Sequence, residues 1–232
     1  MKHIITSLII GISLLLATDL IIHKTDGSTE SIPIGDIESI TFGTDSVSCG
    51  TVTDIDGNVY QTIQIGEQEW MSENLRVTHY NDGSEIPNIT NNGDWSGLST
   101  GAYGDYDNNP TNSETYGRLY NWYTVDDDRG VCPDGYHVPS DDEYTILTDY
   151  LGGTSVAGGK MKEAGLEHWN YYSDEITEEA TNESGFTGLP AGYRNYNNGN
   201  YSSMGYAGFF SSSSEYSSYD VCARVLGYSY SD

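Results

Sequence analysis

The densest group of potentially reactive side chains lies in residues 131–147, which contain Cys132, His137 and Glu143. A thiol, an imidazole and a carboxylate are the groups that enzymes use for nucleophilic and acid–base catalysis. Cys132 is followed directly by proline, however, as structural cysteines often are, and no pair of histidines or cysteines has the spacing of a zinc site. We therefore predict that the chain is not an enzyme and that His137 is a packed, hydrogen-bonded ring.

Two acidic segments have the composition of calcium-binding loops. The first, residues 54–58, lacks the further ligands of an EF-hand loop, so a tight turn before a strand is the favoured interpretation. The second contains Asp105, Asp107 and Asn108 in a long polar stretch, and their side-chain oxygens are suitable ligands for calcium. These three residues are the predicted metal site, and Ca²⁺ is the one possible cofactor.

Aromatic residues supply the second kind of candidate site. Residues 193–232 are rich in Tyr, Ser, Gly and Asn, which are the residue types of adaptable binding surfaces. The alternative is that they are ordinary strand and loop sequence. The predicted ligand-binding residues are Trp95, Tyr193, Tyr196, Tyr201, Tyr206 and Tyr216.

The composition limits the possible partners. The chain has 35 acidic residues against 9 Lys and Arg, a formal net charge of −26, which would repel the phosphates of nucleic acids. Solubility outside the cell explains this charge without a specific ligand, although clustered carboxylates could also bind cations. Only 36% of residues are hydrophobic and 20 are tyrosine, which favours a loop-rich fold over a helical bundle.

The chain is predicted to have three parts. Residues 1–18 combine a positive start, an apolar run and small residues, as an export signal does. Residues 19–48 contain Asp26-Gly27 between two β-prone runs, which predicts a small hairpin followed by a polar linker. Residues 49–232 form the main domain.

Within the main domain, strands and helices occur in separate blocks, which predicts an α+β fold. Residues 59–65 alternate between apolar and polar side chains, as a half-buried strand does. Ser140 and Glu143 form a capping box at the start of a helix that Gly152 ends. The residues expected on its buried face are Tyr144, Ile146, Leu147 and Leu151. The other predicted elements are a partner strand at 69–72, a long loop at 78–115, helices at 116–125 and 155–164, and strands from 186 onward with a turn at 197–200.

Seven short motifs follow one another between residues 50 and 218, at 54–60, 65–66, 70–71, 73–75, 116–122, 132–141 and 185–194. Their residues and order closely resemble the Fibrobacter succinogenes major paralogous domain. That family is similar to the C-type-lectin-like superfamily and, more distantly, to formylglycine-generating-type domains. The resemblance implies a C-type-lectin-like fold with an N-terminal hairpin, two to three short helices and an antiparallel sheet with long loops.

The chain departs from the family pattern in its cysteines. Related domains commonly carry a last strand with Ser-Val-Arg-Cys, which is not found here, so the domain is expected to be short at its C-terminal end. Some relatives also have a cysteine where this chain has Glu69. Since the usual partners are missing, the resemblance leaves a bridge between Cys132 and Cys222 as the expected disulfide, with Cys49 as the remaining thiol.

These observations predict an exported, non-enzymatic module that is secreted or displayed at the cell surface. It is expected to recognise extracellular carbohydrate or protein through its long loops and Tyr-rich C-terminal surface, with no membrane span after signal removal. Two alternatives stay open. One is an enzyme distantly like the formylglycine-generating oxidases, and the other is a purely structural component of a surface assembly.

Overall fold

A computed structural model describes residues 19–23, 28–33, 48–170, 180–217 and 220–229. The chain divides into two compact units, Met1–Gly43 and Thr44–Asp232. In the first unit, β1 (Asp19–His23) pairs antiparallel with β2 (Thr29–Pro33), which agrees with the predicted hairpin. The predicted signal peptide and the turn at Asp26-Gly27 lie outside the described residues.

The second unit begins with a three-stranded antiparallel sheet in the order β3-β4-β5. Its middle strand occupies the range predicted from the alternating pattern, and the buried side chains include Tyr60 and Ile65. The tight turn between β4 and β5 allows the two strands to pair directly. The strands are β3 (Ser48–Thr53), β4 (Val59–Ile65) and β5 (Gln68–Met71).

A four-stranded sheet in the order β11-β10-β8-β9 forms the C-terminal part of this unit. Neighbouring strands are antiparallel except β8 and β10, which run parallel, so the sheet is mixed and not antiparallel throughout as predicted. The predicted turn at 197–200 lies between β8 and β9. The strands are β8 (Ala191–Arg194), β9 (Tyr201–Met204), β10 (Ala207–Ser217) and β11 (Asp220–Gly227).

The region predicted as one long loop contains short regular elements. Asn91 and Asn109 each cap a short helix, because their side chains accept a hydrogen bond from a backbone N–H of its first turn. These caps, and not an amphipathic pattern, mark where the two helices begin. The described residues therefore include more helices than the two or three expected. The elements that follow β5 are α1 (Asn92–Ser96), β6 (Tyr103–Gly104), α2 (Pro110–Tyr116), β7 (Leu119–Tyr120) and α3 (Trp122–Val125).

The single helix predicted at 116–125 is wrong. Gly117 ends α2 with a φ of 75°, and an added Cβ there would lie 2.9 Å from the carbonyl oxygen of Leu75. Leu119 and Tyr120 then pair with Gly104 and Tyr103 as β7. The close approach of the 74–75 backbone is a tertiary contact, so helical spacing alone could not reveal this interruption.

Helices α4 (Asp141–Tyr150) and α5 (Thr154–Met161) were predicted correctly in type and place. The capping box forms, because the Ser140 hydroxyl accepts from the Glu143 N–H while the Glu143 carboxylate accepts from the Ser140 N–H. Ile146 is 54% exposed and does not belong to the buried face, whereas Tyr144 and Leu147 do.

The main core of the second unit lies between the sheet of β3, β4 and β5, helices α4 and α5, and strand β11. Aromatic side chains form much of it, including Trp70, Tyr144, Trp169 and Phe186. A second, smaller core surrounds Ile86 beneath the loops. The α+β class is thereby confirmed. No helix in the described part of the chain has both the length and the apolar character needed to cross a membrane.

Candidate functional site

A cleft of about 570 Å³ opens in the second unit, beside the sheet of β3, β4 and β5 and the four-stranded C-terminal sheet. Strand β5 and the residues after it form one side, and strands β8 and β10 form another. Residues of the 131–147 segment also line it, including Cys132, His137 and Glu143. A cleft of this volume is in the range of small-molecule binding sites.

Aromatic rings form the floor of the cleft. The Trp70 ring centroid lies 5.4 Å from that of Tyr144 and 5.8 Å from that of Phe186. Phe186 in turn contacts Phe210 at 5.5 Å, in an edge-on arrangement. These tilted and edge-to-face contacts are the favourable geometries for aromatic pairs, and they give the floor a fixed shape.

Tyr193 and Phe209 form one wall. Their ring centroids are 4.7 Å apart, and Phe209 is 39% exposed although it is large and apolar. The two residues reach the same wall because β8 and β10 are paired through Gly192 and Gly208, their immediate neighbours. Tyr193 is the predicted ligand-binding residue that the structure places in the cleft.

Carboxylates and an imidazole stand at the rim. The Tyr136 hydroxyl donates a hydrogen bond to the Glu69 carboxylate, which holds the pKa of Glu69 below its usual value. Burial alone would raise the pKa of Glu143, but hydrogen bonds from Ser140 and from His137 lower it instead. His137 Nε2 lies 2.8 Å from Glu143 Oε1, and its side chain is 69% exposed. The histidine is therefore hydrogen-bonded as predicted but not packed.

Cys132 also lines the cleft, and its thiol is free. The predicted bridge to Cys222 is thus not formed in this structure, and the side chain of Cys222 lies outside the described residues. Burial raises the pKa of the Cys132 thiol to about 11. A thiol with this pKa is protonated at neutral pH, and a protonated thiol is a poor nucleophile.

Alkylation of Cys132 in the native protein is expected to be slow at about pH 8 and to accelerate about tenfold for each pH unit, because only the thiolate reacts. Iodoacetamide labelling with peptide mapping by mass spectrometry measures this rate. The urea-denatured chain is the control and should react like an ordinary cysteine. Equal native and denatured rates would contradict the burial of the thiol, and labelling that requires prior reduction would support the Cys132–Cys222 bridge.

The other predicted ligand-binding residues lie elsewhere. Trp95 is buried, and the guanidinium carbon of Arg194 lies 4.2 Å from the centroid of its ring. The same carbon lies 4.6 Å from the centroid of the Tyr201 ring. Tyr196 is 72% exposed in the turn after β8. Tyr206 packs against Tyr228 at 5.6 Å beside a second cavity. The side chain of Tyr216 lies outside the described residues.

The residues of the predicted calcium site have structural contacts. Asp105 is 3% exposed; its Oδ1 accepts from Ser113 Oγ at 2.5 Å and its Oδ2 from Asn88 Nδ2 at 3.1 Å. Asn108 accepts from the Tyr201 hydroxyl at 2.9 Å. Asp107 is exposed with a φ of 53°. Calcium at this place stays a prediction.

The other acidic segment forms the tight turn that was favoured. The Asp54 carboxylate accepts hydrogen bonds from the backbone N–H groups of Asp56 and Asn58. It also accepts from the Asn58 side chain and, at 2.6 Å, from the Tyr60 hydroxyl. Four donors therefore occupy this carboxylate, which fixes the turn between β3 and β4.

Two further groups were missed from the sequence. Ligand atoms of Glu163, Glu167 and His168 lie within 4.8 Å of one another and could hold a metal ion, although His168 already contacts Glu163 at 2.8 Å. The Glu-x-x-x-Glu-His spacing could have indicated this cluster. Residues 97–101 read Gly-Leu-Ser-Thr-Gly, the spacing of a nucleophile elbow. They follow a helix in an exposed loop, however, and not the strand-to-helix turn that such an elbow requires.

Comparison with known proteins gives one match. The model of the family described as Fibrobacter succinogenes major domain matches residues 63–231. This range includes β5, the 131–147 segment and both strands of the aromatic wall. Neither the curated proteins nor the solved structures that were searched gave a match.

Proposed function

The chain belongs to the Fibrobacter succinogenes major domain family, and from this premise we propose that it is an exported, non-enzymatic binding module. It captures a segment of extracellular carbohydrate or protein in the cleft beside β5, β8 and β10. The observation that carries the proposal is the cleft itself, with an aromatic floor, an exposed aromatic wall and a polar rim. Binding sites combine these same features, since apolar surface supplies affinity and a few polar groups supply orientation.

The chemistry of the rim supports binding over catalysis. Burial raises the pKa of Cys132, the thiol that lines the cleft, to about 11, so that this side chain is protonated at neutral pH. The exposed imidazole of His137 is hydrogen-bonded to the helix-capping carboxylate of Glu143. The thiol is thus protonated and the imidazole already has a hydrogen-bond partner, and both properties favour a binding role for the cleft over a catalytic one.

The charge of the protein supports an uncharged or cationic ligand. The net charge of −26 and the carboxylates of Glu69 and Glu73 at the rim oppose the approach of phosphate or sulfate groups. Nucleic acids and anionic lipids are disfavoured for the same reason. Export through the segment at residues 1–18 would place the module where neutral polysaccharides and proteins are available.

Replacing Tyr193 by alanine is expected to weaken binding to immobilised glycans or peptides by at least roughly tenfold, since truncating a central aromatic contact commonly has this effect. The measurement uses glycan and peptide arrays to find a binder, followed by titration calorimetry with that binder. Tyr196→Ala is the matched control, because Tyr196 is an exposed tyrosine of the same segment that does not line the cleft.

Tyr196→Ala should change the affinity by less than about twofold. The proposal fails if no array component binds, or if Tyr196→Ala removes binding while Tyr193→Ala retains it. Circular dichroism of both variants separates lost binding from lost folding.

A further inference from the structure

We infer that the free edge of β11 binds an extended, uncharged or basic segment of another protein, which adds a strand to the C-terminal sheet in a groove between β11 and helix α5. This site is separate from the cleft of the proposed function. Three features of the molecule point to such a partner: the direction of the β11 backbone groups, the groove beside them and the net charge.

Strand β11 stands at the end of its sheet. The strand order is β11-β10-β8-β9, and in the described part of the chain no strand pairs with β11 on the side away from β10. Such an edge presents backbone N–H and C=O groups with which another chain can pair, and proteins commonly protect it with charged side chains or proline. The exposed side chains of β11 are instead those of Ala223 and Val225, and Val225 is 44% exposed.

The register of the β10–β11 pair shows which backbone groups point outward. The Tyr228 N–H donates to the Tyr206 carbonyl at 2.9 Å, and these two residues continue the register of the strand pair. Opposite residues of an antiparallel pair alternate between those that exchange hydrogen bonds and those that do not. Counting back from Tyr228, every second residue therefore bonds to β10. The intervening Val225 and Ala223 direct their N–H and C=O groups toward the edge.

Gly227 belongs to the same outward set, and its contact agrees with this direction. Its carbonyl accepts a hydrogen bond at 3.0 Å from Nζ of Lys162, the residue that ends α5. The outward side of β11 therefore faces α5. Lys162 is fully buried and closes the edge at Gly227. The N–H and C=O groups of Ala223 and Val225 are left for a partner, because no described residue forms a hydrogen bond with them.

A groove runs along this edge. A cavity of about 700 Å³ is lined by the six successive residues 223–228 and, on the other side, by α5. Successive residues of a strand point to opposite faces, so a cavity that touches all of them lies along the edge of the strand. The α5 residues that line it share one helix face and are mostly small; they are Thr154, Ala157, Gly158 and Met161. Strand addition uses such a groove for alternate side chains of the added segment.

The outward groups require an extended polypeptide. They donate and accept in a fixed pattern that repeats every two residues, about 6.8 Å along the strand, and only another extended backbone matches this repeat. The net charge of −26 makes a second copy of the chain repulsive and attracts a basic segment. Arg224, which lines the groove, is already paired with Asp141 at 2.7 Å, so its charge does not favour an acidic partner.

The test measures binding of four hexapeptides to the full chain by titration calorimetry, each alternating Lys with Val, Ile, Thr or Ala. At least one is expected to bind. Val225→Pro removes an outward N–H and no bond to β10, and edge strands tolerate proline, so this change should weaken binding roughly tenfold. Val225→Thr keeps the N–H and the β-branched side chain, and it should change the affinity by less than about twofold. Failure of all four peptides overturns the inference.

A second arm uses two N-methylated forms of the peptide that binds, one methylated on its lysines and the other on the alternate residues. Only one of these sets of N–H groups can face β11, so the two forms should differ in affinity by at least roughly tenfold. Equal affinities would show attraction by charge without backbone pairing and would overturn the inference. This arm needs no variant and decides the question if Val225→Pro does not fold.

Amide hydrogen exchange followed by NMR checks the backbone directions in the protein itself. The amides of Ala223 and Val225 should exchange at least roughly tenfold faster than those of Arg224 and Leu226, and should become protected when the peptide binds. Slow exchange of Val225 in the free protein would mean that the edge is already occupied. Peptide binding that survives Val225→Pro but not Tyr193→Ala would place the peptide in the cleft, which overturns the inference and leaves the proposed function intact.

Discussion

Replacing Arg194 by methionine is expected to lower the free energy of unfolding by about 3 kcal/mol, because several backbone groups lose a charged hydrogen-bond donor together. Arg194 is 7% exposed; its Nε donates to the Gly199 carbonyl at 2.9 Å and its Nη1 to the Ile89 carbonyl. Its guanidinium also contacts the rings of Trp95 and Tyr201. Methionine fills a similar volume but satisfies none of these acceptors.

The loss corresponds to a melting temperature lower by about 10 °C, which thermal denaturation followed by circular dichroism can measure. Arg224→Met is the control. The Arg224 side chain is 37% exposed and pairs with Asp141 at 2.7 Å, so its loss should cost less than about 1 kcal/mol. Similar melting temperatures for the two variants would contradict a structural role for Arg194. Arg194→Lys should also destabilise the protein, since an ammonium group cannot match the planar guanidinium.

Replacing Asp54 by alanine is expected to lower the free energy of unfolding by about 2–4 kcal/mol. Four donors lose their acceptor, two of them backbone N–H groups and one the buried Tyr60 hydroxyl. Tyr60→Phe should cost about 1–2 kcal/mol, since it also removes the acceptor of the Arg76 N–H. The double variant should cost less than the sum, because the two single changes share one hydrogen bond.

Urea denaturation of the four proteins gives these energies. The control is Asp134→Ala, an exposed aspartate for which a change within about 0.5 kcal/mol is expected. An Asp54→Ala variant as stable as this control would show that the turn does not depend on its carboxylate. If removing calcium destabilised the wild type but not Asp54→Ala, the result would instead favour the calcium-loop interpretation of residues 54–58.

Local signals in the sequence predicted several elements well. The alternation in β4 marks the strand, although the structure buries side chains on both of its faces, and the capping box of α4 is a contact between residues three positions apart. The turns at 54–58 and 197–200 depend on Asp, Asn and Gly within a few residues. Each of these features is determined by neighbours along the chain, so the sequence alone carries enough information.

The predictions that were wrong concern residues whose position depends on contacts far apart in the sequence. Ile146 shares a helix with buried residues, but only the packing of α4 decides that it faces outward. The predicted helix at 116–125 is interrupted because Gly117 meets the 74–75 backbone. Trp95 and Tyr201 were predicted as a ligand surface, and they hold Arg194, a residue that no spacing rule connects to position 95.

By itself, the sequence determined the family, the α+β class and the strongly acidic surface, because these depend on composition, motif order and short-range periodicity. Tertiary structure decided where the aromatic residues meet. Tyr193 and Phe209 form a wall only because β8 and β10 pair in parallel, and Trp70 reaches the same cleft from a different sheet. Contacts between residues so far apart in the chain depend on how sheets and helices pack, which no local pattern encodes.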